Sequence, residues 1–249
     1  IIMKLKIFIF SVIFISISSC KKEAGVDNSS NLTNGNSSNT IMSLGASRVE
    51  GNRPDYESFR YELWQDLLNN GWNFDFIGTQ SDPATYPSIN SNVFDPDHEG
   101  RGGWTSGEIL NDISDWLNQT GPVDVVLFSS PGGNDALQGL PYNQAIININ
   151  GIIDAIQVSN PNVTIIIEQM APGHSSIMTQ DLTTFLNQLH QDIPSIASAQ
   201  SSSTSQVIAV DMYTGFSDSM LADDVHYNQV GADFIATRYY NELISVLEN

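Results

Sequence analysis

The chain has 249 residues, 41% hydrophobic and 15% charged, which is enough apolar material for one or two domains with a sizeable core and excludes a wholly disordered chain. Nine basic residues stand against 28 acidic ones, a formal net charge of −19; so acidic a surface repels phosphate backbones and excludes nucleic acid as a partner. A single cysteine, Cys20, excludes an internal disulfide framework and any cysteine-rich zinc module.

All four lysines lie in the first 22 residues. Lys4 and Lys6 precede an apolar stretch over 7–17, broken only by Ser11 and Ser16, and Ser18-Ser19-Cys20 follows. A basic start, a short apolar run and small residues before a cleavage point predict a secretory signal peptide over 1–19. The run is too short for the ~20 residues that a spanning helix needs. Residues 20–39, polar and rich in Ser, Asn and Gly, predict a flexible tether. The folded domain is expected over 40–249.

Within it, strand-like and helix-like segments alternate. A short strand over 40–44 ends at Gly45. Phe59, Leu63, Trp64, Leu67 and Leu68 give a helical stripe over 56–68, closed by Gly71. A strand at 74–77 precedes a helix over 105–117 carrying Ile109, Ile113, Trp116 and Leu117. The run 123–128 is apolar apart from Asp124 and leads into Ser129-Ser130-Pro131-Gly132-Gly133. Helix over 142–158, strand over 163–167, helix over 179–190, strand over 207–210 and helix over 229–247 complete the pattern. Five short apolar strands alternating with helices predict an α/β fold, a three-layer α/β/α sandwich around a five-stranded parallel sheet of flavodoxin-like type. Ligand sites in such folds lie beyond the carboxyl ends of the strands, which brings together 45–47, 129–135 and 212–226.

A serine nucleophile needs an imidazole held by a carboxylate. Of His98, His174, His190 and His226, the last sits three residues after Asp223, ahead of the closing helix. Each element alone is commonplace: Asp-x-x-His as a solvated loop pair, Ser47 after Gly45-Ala46 as a turn residue, Gly133-Asn134-Asp135 as a turn. Asp95-x-Asp97-x-Glu99-Gly100 copies the first half of a calcium loop, but position twelve is Ser106 instead of a bidentate Glu. No metal site is expected there; the segment reads as a solvated acidic loop with His98 on the surface. His174 and His190 read as structural or exposed.

Taken in order, the blocks Met42-Ser43-Leu44-Gly45-Ala46-Ser47-Arg48-Val49-Glu50-Gly51, Glu99-Gly100-Arg101-Gly102-Gly103-Trp104-Thr105, Gly132-Gly133-Asn134-Asp135 and Asp223 to His226 resemble those of the SGNH hydrolases (GDSL-type esterases). The resemblance covers most of 41–249 and implies a serine esterase without cofactor. It implies Ser47 as nucleophile, His226 as general base and Asp223 as its orienting carboxylate. The oxyanion donors would be the N–H groups of Ser47 and Gly103 and the Asn134 amide. The first block departs from the usual Gly-Asp-Ser in having Ala46. Arg48-Val49-Glu50-Gly51, Tyr61-Glu62-Leu63-Trp64, the stretch 95–104 and Val210-Asp211-Met212-Tyr213 look like the carbohydrate-esterase branch, which implies deacetylation of a polysaccharide such as xylan. Trp104, Tyr213 and Phe216 would then stack on sugar rings. Alternatives are a lipid- or arylester-directed relative with the same triad, and a glycan-binding surface lipoprotein with weak catalysis or none. The setting of Cys20 resembles the bacterial lipobox, implying lipidation there, export to the cell envelope as an outer-membrane or surface lipoprotein, and membrane contact only through the lipid.

Overall fold

A computed structural model describes residues 39–248. These belong to the compact unit Gly35–Asn249; the unit Ile1–Asn34, with the expected signal segment and Cys20, lies outside the described residues, as does nearly all of the expected tether.

The sheet is centred on β1 (Thr40–Gly45). On one side β5 (Val125–Phe128), β6 (Thr164–Gln169) and β7 (Gln206–Asp211) follow in order, all parallel. On the other side two strands share β1. β2 (Asp75–Phe76) pairs with Thr40 and Ile41, and β4 (Asp97–Gly100) with Leu44 and Gly45, both parallel. Outermost is β3 (Gln80–Ser81), antiparallel to β4. The sheet therefore has seven strands and is mixed, in the order β3-β4-β1-β5-β6-β7 with β2 beside β1, which corrects the expectation of a five-stranded, wholly parallel sheet. The two additional strands are polar, so no apolar run marks them.

Strand β4 also overturns the reading of 95–100 as a solvated acidic loop with a surface His98. Glu99 is 0% and His98 3% exposed. The buried Glu99 carboxylate accepts from Thr79 N at 2.8 Å, Thr79 Oγ1 at 3.0 Å and Arg101 at 2.8 Å, so its burial rests on paired charge and hydrogen bonds, not on apolar character. Asp95 accepts from the N–H of Phe76 and Asp97, and burial pushes its carboxyl up to about 6. Among the described residues no group of three or more His, Cys, Asp or Glu is arranged to hold a metal ion.

Alternate residues along each inner strand face opposite layers. Val125 and Leu127 join the core beneath α2 (Arg60–Asn69) and α7 (Gln229–Leu243), with Phe59, Leu63, Leu67, Ile235 and Tyr239. Val126 and Phe128 join the core beneath α3 (Ser106–Thr120), α5 (Tyr142–Ser159) and α6 (Gln180–Gln200), with Ile113, Ile152, Ile153 and Ile193. Helix α3 opens on a capping box, Thr105 with Glu108. Helix α6 runs ten residues past the expected end at 190 and contains Pro194. A proline has no N–H for the carbonyl four residues back, but that carbonyl, on His190, accepts instead from Gln169 Nε2 at 2.8 Å. Two single-turn helices, α1 (Ser47–Glu50) and α4 (Gly133–Leu137), follow β1 and β5 at the carboxyl edge. Among the described residues no helix is long and apolar enough to cross a membrane.

Candidate active site

Strand β1 ends at Gly45, whose carbonyl accepts from Arg101 N, and the chain turns at once into α1. The Ala46 carbonyl accepts from Val49 N and Glu50 N, both at 3.0 Å, which closes the turn with Ser47 as the first helical residue. At the other end of the chain, Ala222 N donates to the His226 carbonyl at 2.8 Å and folds the 222–226 loop back on itself. Asp223 Oδ1 accepts from Val225 N and His226 N, at 2.9 and 2.7 Å, and Oδ2 lies 2.7 Å from His226 Nδ1. His226 Nε2 lies 2.8 Å from Ser47 Oγ. The three expected residues thus form one hydrogen-bonded chain across 179 residues of sequence.

Partial burial raises the Asp223 carboxyl, but hydrogen bonds from the His226 ring and the two backbone N–H groups outweigh it and hold it below the ordinary carboxylate value. The carboxylate therefore stays charged to orient the ring, although its side chain is 50% exposed.

Two supports were not legible as such. The helix expected from residue 56 begins only at Arg60. Before it, Glu57 pairs antiparallel with Tyr227, its N–H donating to the Tyr227 carbonyl at 2.9 Å. That pairing lays Tyr56 on the His226 ring, with centroids 3.8 Å apart and an interplanar angle of 13°. Burial, then the Glu50 and Asp223 carboxylates, push the Tyr56 phenol up, so it keeps its proton. The second support is Arg48. Its buried guanidinium donates to the carbonyls of Val225 at 2.8 Å, Ala171 at 2.8 Å and Pro172 at 3.0 Å. It fastens the His226 loop and the segment after β6 to the helix that begins at Ser47. The only sequence signal was a cation directly after a strand-end serine.

Asn134 lies in α4, one residue after Gly133, and its Nδ2 donates to the Trp104 carbonyl at 2.8 Å. Gln138 Nε2 donates to the Gly103 carbonyl, and Ser106 donates through N and Oγ to the buried Asp135 at 2.8 and 2.6 Å. The second and third motif blocks are therefore latched together. Gly103 has φ +81, a conformation that favours glycine. A Cβ on Gly100 would lie 2.4 Å from Glu50 N, so the end of β4 closes on α1 only because no side chain intervenes there. Ser47 and Asn134 are both in the wall of a cavity of about 50 Å³, otherwise mainly apolar, with Leu137, Met170, Ile177 and Leu186. Gly103 is held beside Asn134 but is not in that wall.

The expected sugar-stacking aromatics lie elsewhere. Trp104 packs on Trp116 under Arg101, Tyr213 packs on His190, and Phe216 packs between Tyr227 and Phe234. None lines the cavity beside Ser47. His174 pairs with Ser176 and faces Asp218 on the surface. His98 is buried; desolvation, then the Arg60 guanidinium, lower its pKa to about 3, so the ring is neutral. Its Nδ1 accepts from Gly100 N at 3.0 Å, which assigns the ring proton to Nε2.

Residues 44–234 match the GDSL-like Lipase/Acylhydrolase family. The chain belongs to this family and is an SGNH-type serine esterase. Among solved structures it is similar to a family 3 carbohydrate esterase of Clostridium thermocellum, at 30% identity over 83% of this chain and 96% of that one, TM-score 0.67. A family 3 carbohydrate esterase from Talaromyces cellulolyticus is 28% identical over 83% and 97%, TM-score 0.72. A mutant acetyl esterase, crystallised with acetate ion, is 28% identical over 83% and 97%, TM-score 0.73. No curated protein matches the chain.

Proposed function

We propose that the enzyme removes acetyl groups from a carbohydrate, with Ser47, His226 and Asp223 as its catalytic triad. The observation that carries this reading is the hydrogen-bonded chain from Asp223 through His226 to Ser47 Oγ. His226 Nε2 takes the Ser47 proton as Oγ attacks the ester carbonyl, while Asp223 holds Nδ1–H and stabilises the imidazolium. The tetrahedral oxyanion is held by the N–H groups of Ser47 and Gly103 and by Asn134 Nδ2. An amide nitrogen carries two hydrogens; one serves the Trp104 carbonyl and the other is left for substrate. His226 then protonates the departing alcohol, and water, activated in the same way, releases acetate from Ser47.

The size of the adjoining cavity supports a short acyl group. One water needs roughly 10–15 Å³ of such volume, so about 50 Å³ has room for an acetyl group. Similarity to an acetyl esterase and to carbohydrate esterases supports the same substrate class. The test is acetate release from acetylated xylo-oligosaccharide, with p-nitrophenyl esters of two to eight carbons beside it. Wild type should favour the two-carbon ester, and Ser47→Ala should lose at least about 10³ in kcat on every substrate. A Ser47→Ala protein that retained a tenth of the rate would exclude Ser47 as nucleophile.

We also propose that Cys20 carries lipid and tethers the enzyme to the bacterial envelope, on the strength of the pattern over 1–20. Labelled fatty acid entering the wild type but not Cys20→Ser would support it; equal labelling of both would exclude it.

A further inference from the structure

Beside the small Ser47 cavity lies a second, larger cleft of about 330 Å³ whose wall includes Glu50, Asn52, Tyr56, Gln80, Ser81 and His98. Its volume is in the range of clefts that bind small ligands. The two spaces share α1, with Ser47 in the wall of one and Glu50 in the wall of the other. Tyr56, in the wall of the larger cleft, is the residue whose ring covers His226. An ester whose carbonyl sits at Ser47 and whose acyl methyl enters the apolar cavity directs its alcohol half past His226, toward Tyr56.

We infer that this cleft is the subsite for the alcohol half of the ester and that it takes an uncharged sugar ring in preference to a uronic acid. The inference rests on the esterase reading above. A sugar hydroxyl both donates and accepts, so its site needs groups of both kinds. Donors here are the Tyr56 and Ser81 hydroxyls and His98 Nε2–H; acceptors are Asn52 Oδ1, Gln80 Oε1 and the Glu50 carboxylate. None of these atoms has a hydrogen-bond partner among the described residues, whereas the amide nitrogens of Asn52 and Gln80 are held by Asp55 and by the Thr79 carbonyl. Those two bonds orient the amides and leave their oxygens free to accept. His98 is fixed by burial and by the Gly100 N–H, so its donor is preplaced. The wall contains no lysine or arginine, and its one charged side chain is Glu50. A carboxylate on the sugar would meet that charge, and the nearest cations, Arg60 and Arg101, are already paired with Asp82 and Glu99.

The experiment compares kcat/KM for mono-acetylated methyl xylopyranoside, mono-acetylated methyl glucuronopyranoside and p-nitrophenyl acetate, which carries no sugar. In the double variant Asn52→Ala/Gln80→Ala, the ratio of the xyloside to p-nitrophenyl acetate should fall about tenfold, two neutral hydrogen bonds being removed. In Glu50→Gln, the wild-type preference for the xyloside over the glucuronoside should shrink by about tenfold. Both ratios equal to wild type, with p-nitrophenyl acetate still turned over, would overturn the subsite and leave the esterase intact. A wild type that hydrolyses none of the three would instead overturn the esterase reading, and the subsite with it.

Discussion

At the scale of single residues, the imidazole of His226 is held at three points: Asp223 at Nδ1, Ser47 at Nε2 and the ring of Tyr56 on one face. The third makes a separable contribution. Tyr56→Ala should lower kcat/KM for p-nitrophenyl acetate about 3- to 10-fold, the size expected of a lost ring stack of ~1 kcal/mol, and Tyr56→Phe should restore it. An equal loss in both variants would assign the effect to the phenol instead. Asn134→Ala should cost roughly 10²–10³ in kcat with KM little changed, as the proposed role of its donor on the oxyanion, not on the ground-state ester, requires. The Asp223–His226 pair stood out only through its place in the ordered motif blocks, since Asp-x-x-His alone reads as a solvated loop pair. Tyr56 did not stand out, because what places it is a pairing of Glu57 with Tyr227, far apart in sequence, and its neighbours read as the start of a helix.

At the scale of elements, the apolar strands were read correctly and the polar ones were missed. β5 and β6 announce themselves by continuous burial, whereas β4, Asp-His-Glu-Gly, looks like a solvated loop until Thr79 and Arg101 are seen to satisfy Glu99. Helix α6 was read short because the partner that tolerates Pro194, Gln169, comes from another element. Arg48 works between elements too. Arg48→Met leaves three carbonyls without their donor, at about 1–3 kcal/mol for each left buried and unmet. The melting temperature should fall by roughly 6–12 °C for a loss of about 3 kcal/mol. Because misplacement by about 1 Å can cost on the order of 10² in rate, kcat should fall by a similar factor at nearly constant KM. Arg48→Lys should recover little, since one ammonium cannot serve three carbonyls spread around a planar fork. A variant with lowered stability but wild-type kcat would show that Arg48 holds the loops without aligning the triad.

At the scale of the whole molecule, buried titratable groups set how the fold responds to acid. His98 is depressed to about 3, below its unfolded value near 6.5. The unfolded chain therefore binds a proton at a pH where the native state does not. The stability tied to His98 is complete above about pH 6.5 and is lost progressively as pH falls toward 3. Asp95, raised to about 6, acts in the opposite sense, favouring the fold below about pH 4 and losing that contribution as pH rises through 6. The two oppose each other in the wild type, so a difference measurement is needed to see either. Between pH 6.5 and 4.5, His98→Gln should gain about 2–3 kcal/mol relative to wild type in denaturant titrations, the Asp95 contribution being common to both. A difference independent of pH would mean that His98 titrates alike in the folded and unfolded chain.

The contact between the two ends of the domain has a further consequence. Asn39 Nδ2 donates to the Glu248 carbonyl at 2.7 Å, and Glu248 N donates back to Asn39 Oδ1 at 2.8 Å. Over the described residues the domain is thus a nearly closed ring, opened at a point beside the start of β1, whereas Ser47 follows the end of that strand. Such a ring tolerates being opened elsewhere. A circular permutant with a short Gly-Ser bridge from 248 to 39 and new termini within the exposed 202–204 turn should fold and keep its esterase activity. It would also bring Ser47 and His226 several-fold closer along the chain than their present separation of 179 residues. The same cut separates β7 along the chain from β6 and α6, against which it packs most extensively, and since higher contact order slows folding, stopped-flow refolding of the permutant should be no faster than that of the natural order. The proposed triad, assembled today from opposite ends of the domain, would become one of its more local features.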